Sequence, residues 1–242
     1  MSTSTEVTTA PRSTEIIYPT SDGRPMGETD LHRNIMFESI EALKLHYAGQ
    51  QVYVSGNLLL FYQPGNRRRH VSPDVLVVTG IEPRDRQNYL LWEEGVPPQV
   101  VIEVTSESTR EEDLYDKLEI YRDQVQVAEY FLLDPRGEYL DPALQGYRLS
   151  AGRYEPIRPV SGRLPSRELG LHLEEHERHL RFFDPSAARW IPTPEEARQA
   201  AEDERRQAED ERRQMAAKWQ QTEAEAERLR QELETLRRQL GR

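Results

Sequence analysis

The sequence predicts an α/β (α+β) fold: a mixed sheet flanked by at least two helices, followed by a long C-terminal helix. Three observations point there. The runs Val75-Leu76-Val77-Val78 and Val100-Val101-Ile102 are short, continuous and β-branched, as strands buried on both faces are. A strand, a helical stretch and another strand follow one another from Val100 to Leu133, which implies a parallel pair joined by a right-handed crossover. From Thr193 the chain is charged, helix-favouring and almost free of breakers.

In chain order, Met1 to Thr14 is Ser/Thr-rich and lacks an apolar signal region, so residues 1–15 are predicted to be a disordered tail. Residues 16–27 form an irregular lead-in with Pro19, Asp22-Gly23 and Pro25. Asp30 is expected to cap a helix from Leu31 to about Ala48, stopped by Gly49. Ile35, Met36, Ile40, Leu43 and Tyr47 make its apolar stripe, with His32 at the edge. Val52 to Tyr62 reads as one or two strands broken at Ser55-Gly56-Asn57, and Val71 to Thr79 as the returning strand. Arg67-Arg68-Arg69 lies on the connection between them. Thr109, with Glu112 three residues on, is expected to start a helix over 111–124 with Leu114, Leu118 and Tyr121 on its apolar side. Glu129 to Leu133 is a strand closed by Asp134-Pro135, and residues 147–183 read as a β-rich extension. The core domain is placed at 16–190.

Thr193-Pro194-Glu195-Glu196 combines a cap, a first-turn proline and acids. The heptad Ala-Glu-Asp-Glu-Arg-Arg-Gln then occurs twice, at 201–207 and 208–214. Met215, Thr222, Leu229 and Leu236 fall at one core position of a coiled coil and Trp219, Ala226, Leu233 and Leu240 at the other. Residues 193–242 are therefore expected to form a charged helix and coiled coil, making a homodimer through 215–240.

Composition narrows the function. The chain has no cysteine, which excludes disulfides and thiolate ligands and fits a cytoplasmic protein. No apolar run approaches the roughly 18 residues of a membrane helix. From Thr193 onward lie 11 of the 32 cations and 13 of the 43 acids, leaving 21 against 30 before it. The body is acidic, which weighs against an extended nucleic-acid face and leaves Arg67-Arg68-Arg69 as the local basic run for phosphate contact. Only Lys44, Lys117 and Lys218 are lysine among those 32 cations, which draws attention to Lys117.

Two carboxylates interrupt the apolar runs. Asp74 opens the strand at Val75, and Glu103 sits between Ile102 and Val104. Burying an unpaired carboxylate costs several kcal/mol, so such groups are paired, neutralised or bound to a metal. Neighbouring strands run about 4.8 Å apart, so Asp74 and Glu103 can share one hard cation of the Mg²⁺ type. Lys117 then orients or activates a water at the metal, within one water's reach of the carboxylates.

The series Pro73-Asp74, Glu103 within Val-Ile-Glu-Val-Thr-Ser-Glu-Ser-Thr-Arg, Asp113-x3-Lys117-x3-Tyr121 and Glu129-Tyr-Phe-Leu-Leu-Asp134-Pro135 resembles the Uma-type restriction endonuclease family of the PD-(D/E)xK nuclease superfamily, over about residues 28–185. The resemblance implies a restriction-endonuclease-like fold and Mg²⁺-dependent phosphodiester hydrolysis, with Mn²⁺ as a substitute and DNA as the substrate. It makes Asp74 and Glu103 metal ligands, adds the Val104 backbone carbonyl as a further ligand, and completes the catalytic set with Lys117. Two residues after Glu103, where the superfamily carries lysine, stands Thr105, so the lysine role passes to Lys117 on the next helix. His32 and Tyr121 are supporting candidates. The alternative is a catalytically inactive nuclease-fold protein that assembles through its coiled coil. RNA or a mobile-element intermediate is a weaker substrate choice, since no base-reading module is recognisable.

Overall fold

The computed structural model describes residues 16–21 and 29–241. The tail expected at 1–15 and the second half of the lead-in, 22–27, lie outside them. Contacts divide the chain into one unit ending at Ile191 and a second from Pro192.

The first unit is built on a six-stranded mixed sheet. Helix α1 (Asp30–His46) leads to β1 (Val52–Ser55), β2 (Leu60–Phe61), β3 (His70–Val71) and β4 (Val75–Thr79). Then come β5 (Tyr89–Leu90), the short helix α2 (Leu91–Glu94), β6 (Val100–Val104), a helix over 110–125 and β7 (Glu129–Leu133). After these run β8 (Leu144–Ser150), β9 (Arg153–Pro156), β10 (Leu164–Pro165), β11 (His172–His176), β12 (His179–Asp184) and β13 (Arg189–Trp190). The main sheet has the order β1-β4-β6-β7-β8-β9. Among the described strands of this sheet only β6 and β7 pair in parallel, with Val100 opposite Glu129 and Val104 opposite Leu133. The helix between them is the crossover, as a parallel pair requires.

Alternation along the strands sorts side chains onto two faces. Val75, Val77, Val100, Ile102 and Val104 meet α1 and the apolar residues of the β10-β11-β12-β13 sheet, such as Leu173 and Phe182. Leu76, Val78, Val101, Tyr130 and Leu132 meet Tyr121 and Val125 of the 110–125 helix and Leu60, Val71 and Tyr89 of the β3-β2-β5 sheet.

Three local expectations are corrected. The cap of α1 is Thr29, whose side chain accepts from the His32 N–H; Asp30 instead pairs with Arg33 at 2.6 Å. Asp and Thr are both good caps, and the choice falls to the residue whose backbone is extended. The stretch 71–79 is two strands: Ser72-Pro73-Asp74 interrupts it, and β4 pairs with β1 and β6 while β3 pairs with β2. Proline has no N–H to give the ladder. The 110–125 helix is wider than an α-helix, with π-turns at Glu112–Lys117 and Ile120–Val125. Residues four apart lead by about 40° per step in an α-helix. The wider i→i+5 turns offset that lead and let Asp113, Lys117 and Tyr121 all face the sheet.

The second unit is a single helix, α3 (Pro194–Leu240). It opens with the predicted capping box: Glu196 N–H donates to Thr193 Oγ1, and Thr193 N–H donates to Glu196 Oε2. Met215, Trp219, Leu229, Leu233, Leu236 and Leu240 are all exposed along it. Among the described residues, no helix is long and apolar enough to cross a membrane.

Candidate active site

Asp74 and Glu103 meet because of register. The last paired residues of β4 and β6 are Val75 and Ile102, and one step further Asp74 stands opposite Glu103. Both share the parity of Leu76 and Val101, so both face the 110–125 helix. Side chains complete the ladder there. The Asp74 N–H donates to Glu103 Oε2 at 3.3 Å, and the Val104 N–H donates to Asp74 Oδ2 at 2.8 Å. The amide of Val104 thus touches Asp74 directly.

Gly56 sets the position of Asp74 from the other side. The Asn57 N–H donates to the Pro73 carbonyl at 2.8 Å, and a Cβ built on Gly56 would lie 1.9 Å from the Asp74 carbonyl oxygen. Only glycine permits that approach. Nothing in the sequence beyond a turn signal marks this residue.

Lys117 binds the cluster directly, with no water between. Its Nζ lies 3.0 Å from Glu103 Oε2 and 2.9 Å from Asp113 Oδ1. Tyr121 Oη donates to Glu103 Oε1 at 2.6 Å, and His32 Nε2 lies 3.2 Å from Asp74 Oδ2. The two supporting candidates therefore each hold one carboxylate. Asp113, which as an i,i+4 partner of Lys117 could have been a surface residue, is buried, and Tyr130 Oη donates to its carbonyl at 2.9 Å. It is the site residue that sequence reasoning missed; the spacing was visible, the burial was not.

The electrostatics follow from this packing. Burial works against the charge of Asp74, but the His32 hydrogen bond and charge, the Lys117 charge and the Val104 amide together hold its carboxyl below the ordinary aspartate range. Burial pushes Glu103 well above the ordinary glutamate range; Lys117 opposes this while Asp74 and Asp113 add to it. Asp113 is raised by burial as well, against the pull of Lys117. Burial alone would lower Lys117, yet Glu103, Asp113 and Asp74 raise it, so it remains an ammonium.

The cluster forms one wall of a cleft of about 1040 Å³. Asp74, Asp113, Lys117, His32 and Thr105 line it, with Arg68, His70 and Arg136 around them. Glu103 is 0% exposed and lies behind this wall. Of the basic run, Arg68 reaches the cleft; Arg67 and Arg69 are exposed but do not line it. Asp134 borders the cleft too, but its carboxylate accepts the N–H groups of Arg136, Gly137, Tyr139 and Leu140 and so anchors a loop.

A family model described as "Uma2: Putative restriction endonuclease" matches residues 9–180. The chain belongs to the Uma2 family. No curated protein matches it. Among solved structures, a crystal structure of "a putative nuclease belonging to DUF820" from Anabaena variabilis aligns with 64% of this chain and 82% of its own, at 16% identity and a TM-score of 0.47. The stretch matched by the Uma2 family spans α1 through β11 and thus every residue of the cluster.

A hard divalent cation fits the donor set. Asp74, Glu103 and Asp113 carry three negative charges when ionised, against the one ammonium of Lys117. Among the described residues no three histidine, aspartate or glutamate side chains are grouped as a ready-made cage. Mg²⁺ does not need one: it takes one or two carboxylates and keeps its waters.

Proposed function

We propose that this chain is a Mg²⁺-dependent endonuclease that hydrolyses phosphodiester bonds in DNA, with Mn²⁺ able to substitute. The observation that carries this is the meeting of Asp74, Glu103 and Lys117 at one wall of a cleft in a chain of the Uma2 family. Asp74 and Glu103 would hold the cation, with the Val104 backbone carbonyl as a further donor. When bound, such an ion polarises the phosphodiester and lowers the pKa of a coordinated water. The protein's own groups do the rest. His32 and the Val104 amide keep Asp74 ionised and in place. Tyr121 fixes the free rotation of Glu103. Lys117, held as a cation, offsets the charge that builds on the phosphate in the transition state. Arg68, with Arg67 and Arg69 beside it, supplies positive charge where a DNA backbone would pass, which the acidic body elsewhere does not.

The test is nicking of supercoiled plasmid by the purified protein in Mg²⁺ or Mn²⁺. Asp74→Ala and Glu103→Ala each abolish nicking while the circular dichroism spectrum and melting transition persist. Nicking that survives both substitutions sinks the assignment. Lack of nicking on any DNA or RNA by a protein that still self-associates favours the inactive assembly protein instead.

We also propose that α3 pairs with a second copy of itself through 215–240. Its exposed Met215, Trp219, Leu229, Leu233, Leu236 and Leu240 fall at the two core positions of one heptad frame.

A further inference from the structure

Glu103 cannot take a cation from the cleft while Lys117 stays where it is. Glu103 is wholly buried and Lys117 and Asp74 stand in front of it, the Lys117 side chain being 13% exposed. Each carboxylate oxygen accepts in about two directions. Glu103 Oε2 uses both, on Lys117 Nζ and the Asp74 N–H. Glu103 Oε1 accepts from Tyr121 in the protein interior. The oxygen nearer Asp74 therefore becomes available when the ammonium leaves it.

Asp113 is built to keep that ammonium. It holds Nζ at 2.9 Å from one turn away, and its carboxylate also bonds the Thr109 side chain. Its carbonyl is tied to Tyr130, so the turn that carries it is fixed to the sheet. A lysine suits a transfer between two acids because its ammonium is a compact charge on a flexible stem; a guanidinium fork does not.

We propose that Lys117 is the stand-in cation of this site and that Asp113 is its positioning residue: on loading, Lys117 gives up Glu103 Oε2 to a divalent cation and stays bound to Asp113. This rests on the metal role assigned above to Asp74 and Glu103.

The experiment is calorimetric titration of Mn²⁺ into wild type, Lys117→Met, Asp113→Asn and the double variant, with melting temperatures in chelator. Lys117→Met binds Mn²⁺ at least about tenfold tighter, since a competing charge a few ångströms away is gone. Asp113→Asn binds at least about tenfold more weakly, since Lys117 has nowhere to go. In the Lys117→Met background the Asp113→Asn effect disappears, because Asp113 acts through Lys117; a plain loss of negative charge would weaken binding equally in both backgrounds. Affinity that is unchanged or weaker in Lys117→Met, or equal Asp113→Asn effects in the two backgrounds, overturns the proposal and leaves the metal site standing. If Lys117→Met does not fold, unchanged affinity in Asp113→Asn overturns it. Binding by Lys117→Met but not by wild type supports it. Binding by neither overturns the metal site, and this inference with it. No outcome depends on DNA cleavage.

Discussion

Glu103 and Glu129 sit on neighbouring strands of one sheet, and both are 0% exposed. They face opposite ways and are satisfied in opposite manners. Glu129 accepts from Arg148 Nε at 2.8 Å, from the Arg167 and Glu168 N–H groups at 3.0 and 3.4 Å, and from the Ser166 hydroxyl. One cation and three neutral donors close its account, and it ties the loop at 166–169 to the sheet. Glu103 has a lysine and a tyrosine but also Asp74 and Asp113 as neighbours, and a cleft in front of it. Burial alone therefore says little about the role of a carboxylate. What separates an anchor from a candidate catalytic group is whether its partners balance its charge.

Substituting each of the two is the sharpest way to break this comparison. Glu103→Gln lowers plasmid nicking by at least about a thousandfold, as loss of several kcal/mol of metal-borne stabilisation implies, while the melting temperature moves little because a crowded negative charge is removed. Glu129→Ala does the reverse. It leaves Arg148 and two backbone N–H groups without their acceptor and costs about 3 kcal/mol in chemical denaturation, with nicking retained at temperatures where the variant is folded. Equal stability losses for the two variants would erase the distinction.

Gly56→Ala tests how narrowly Asp74 is placed. The added methyl would fall 1.9 Å from the Asp74 carbonyl oxygen, so the β1–β2 break or Asp74 itself must shift. Overpacking of this kind costs about 1–3 kcal/mol. The expected result is a loss of Mn²⁺ affinity in calorimetry that exceeds any loss caused by an alanine at the open Gly65, where nothing lies within 4 Å of the new Cβ although the backbone has positive φ.

Asp134 extends the comparison to a third buried carboxylate, one balanced by backbone alone. Burial would raise its pKa, but four N–H groups hold it below the ordinary aspartate range. A group with a depressed folded pKa stabilises fully above its unfolded value of about 3.9, and that contribution is lost as pH falls through the folded value. Asp134→Asn therefore costs about 1–3 kcal/mol at pH 7, and the gap to wild type stays flat down to about pH 5 and narrows below about pH 4 in urea titrations. A gap that widens in acid would contradict this.

Much of this was legible in the chain. The β-branched runs around Val77 and Val101 marked the central strands because strands buried on both faces carry no polar alternation, and for the same reason Asp74 and Glu103 stood out. Thr193 to Glu196 specified a helix start by local chemistry alone. What was hidden depends on contacts between distant segments. Asp113 and Lys117 have the spacing of a surface pair, and only the docking of their helix onto β6 buries them. The π-turns at 112–117 and 120–125 answer to where the sheet lies, which propensity does not encode. Gly56 matters through one carbonyl oxygen eighteen residues away.

The smallest effect concerns α3, whose proposed partner is a second copy of the same helix. Its charged heptads gain only a few tenths of a kcal/mol each from exposed i,i+4 pairs such as Arg238 with Glu234. Its apolar positions are a different matter: leucines at 229, 233 and 236 exposed by more than half gain nothing in a lone helix. Removing residues 193–242 should leave a folded monomer by light scattering, and Leu233→Glu in the full chain should have the same effect on mass without truncation. Nicking per chain should change less than about threefold, since the cleft is built wholly from residues before 193. A dimer that survives the deletion would move self-association to the core and leave the heptads for another protein's helix.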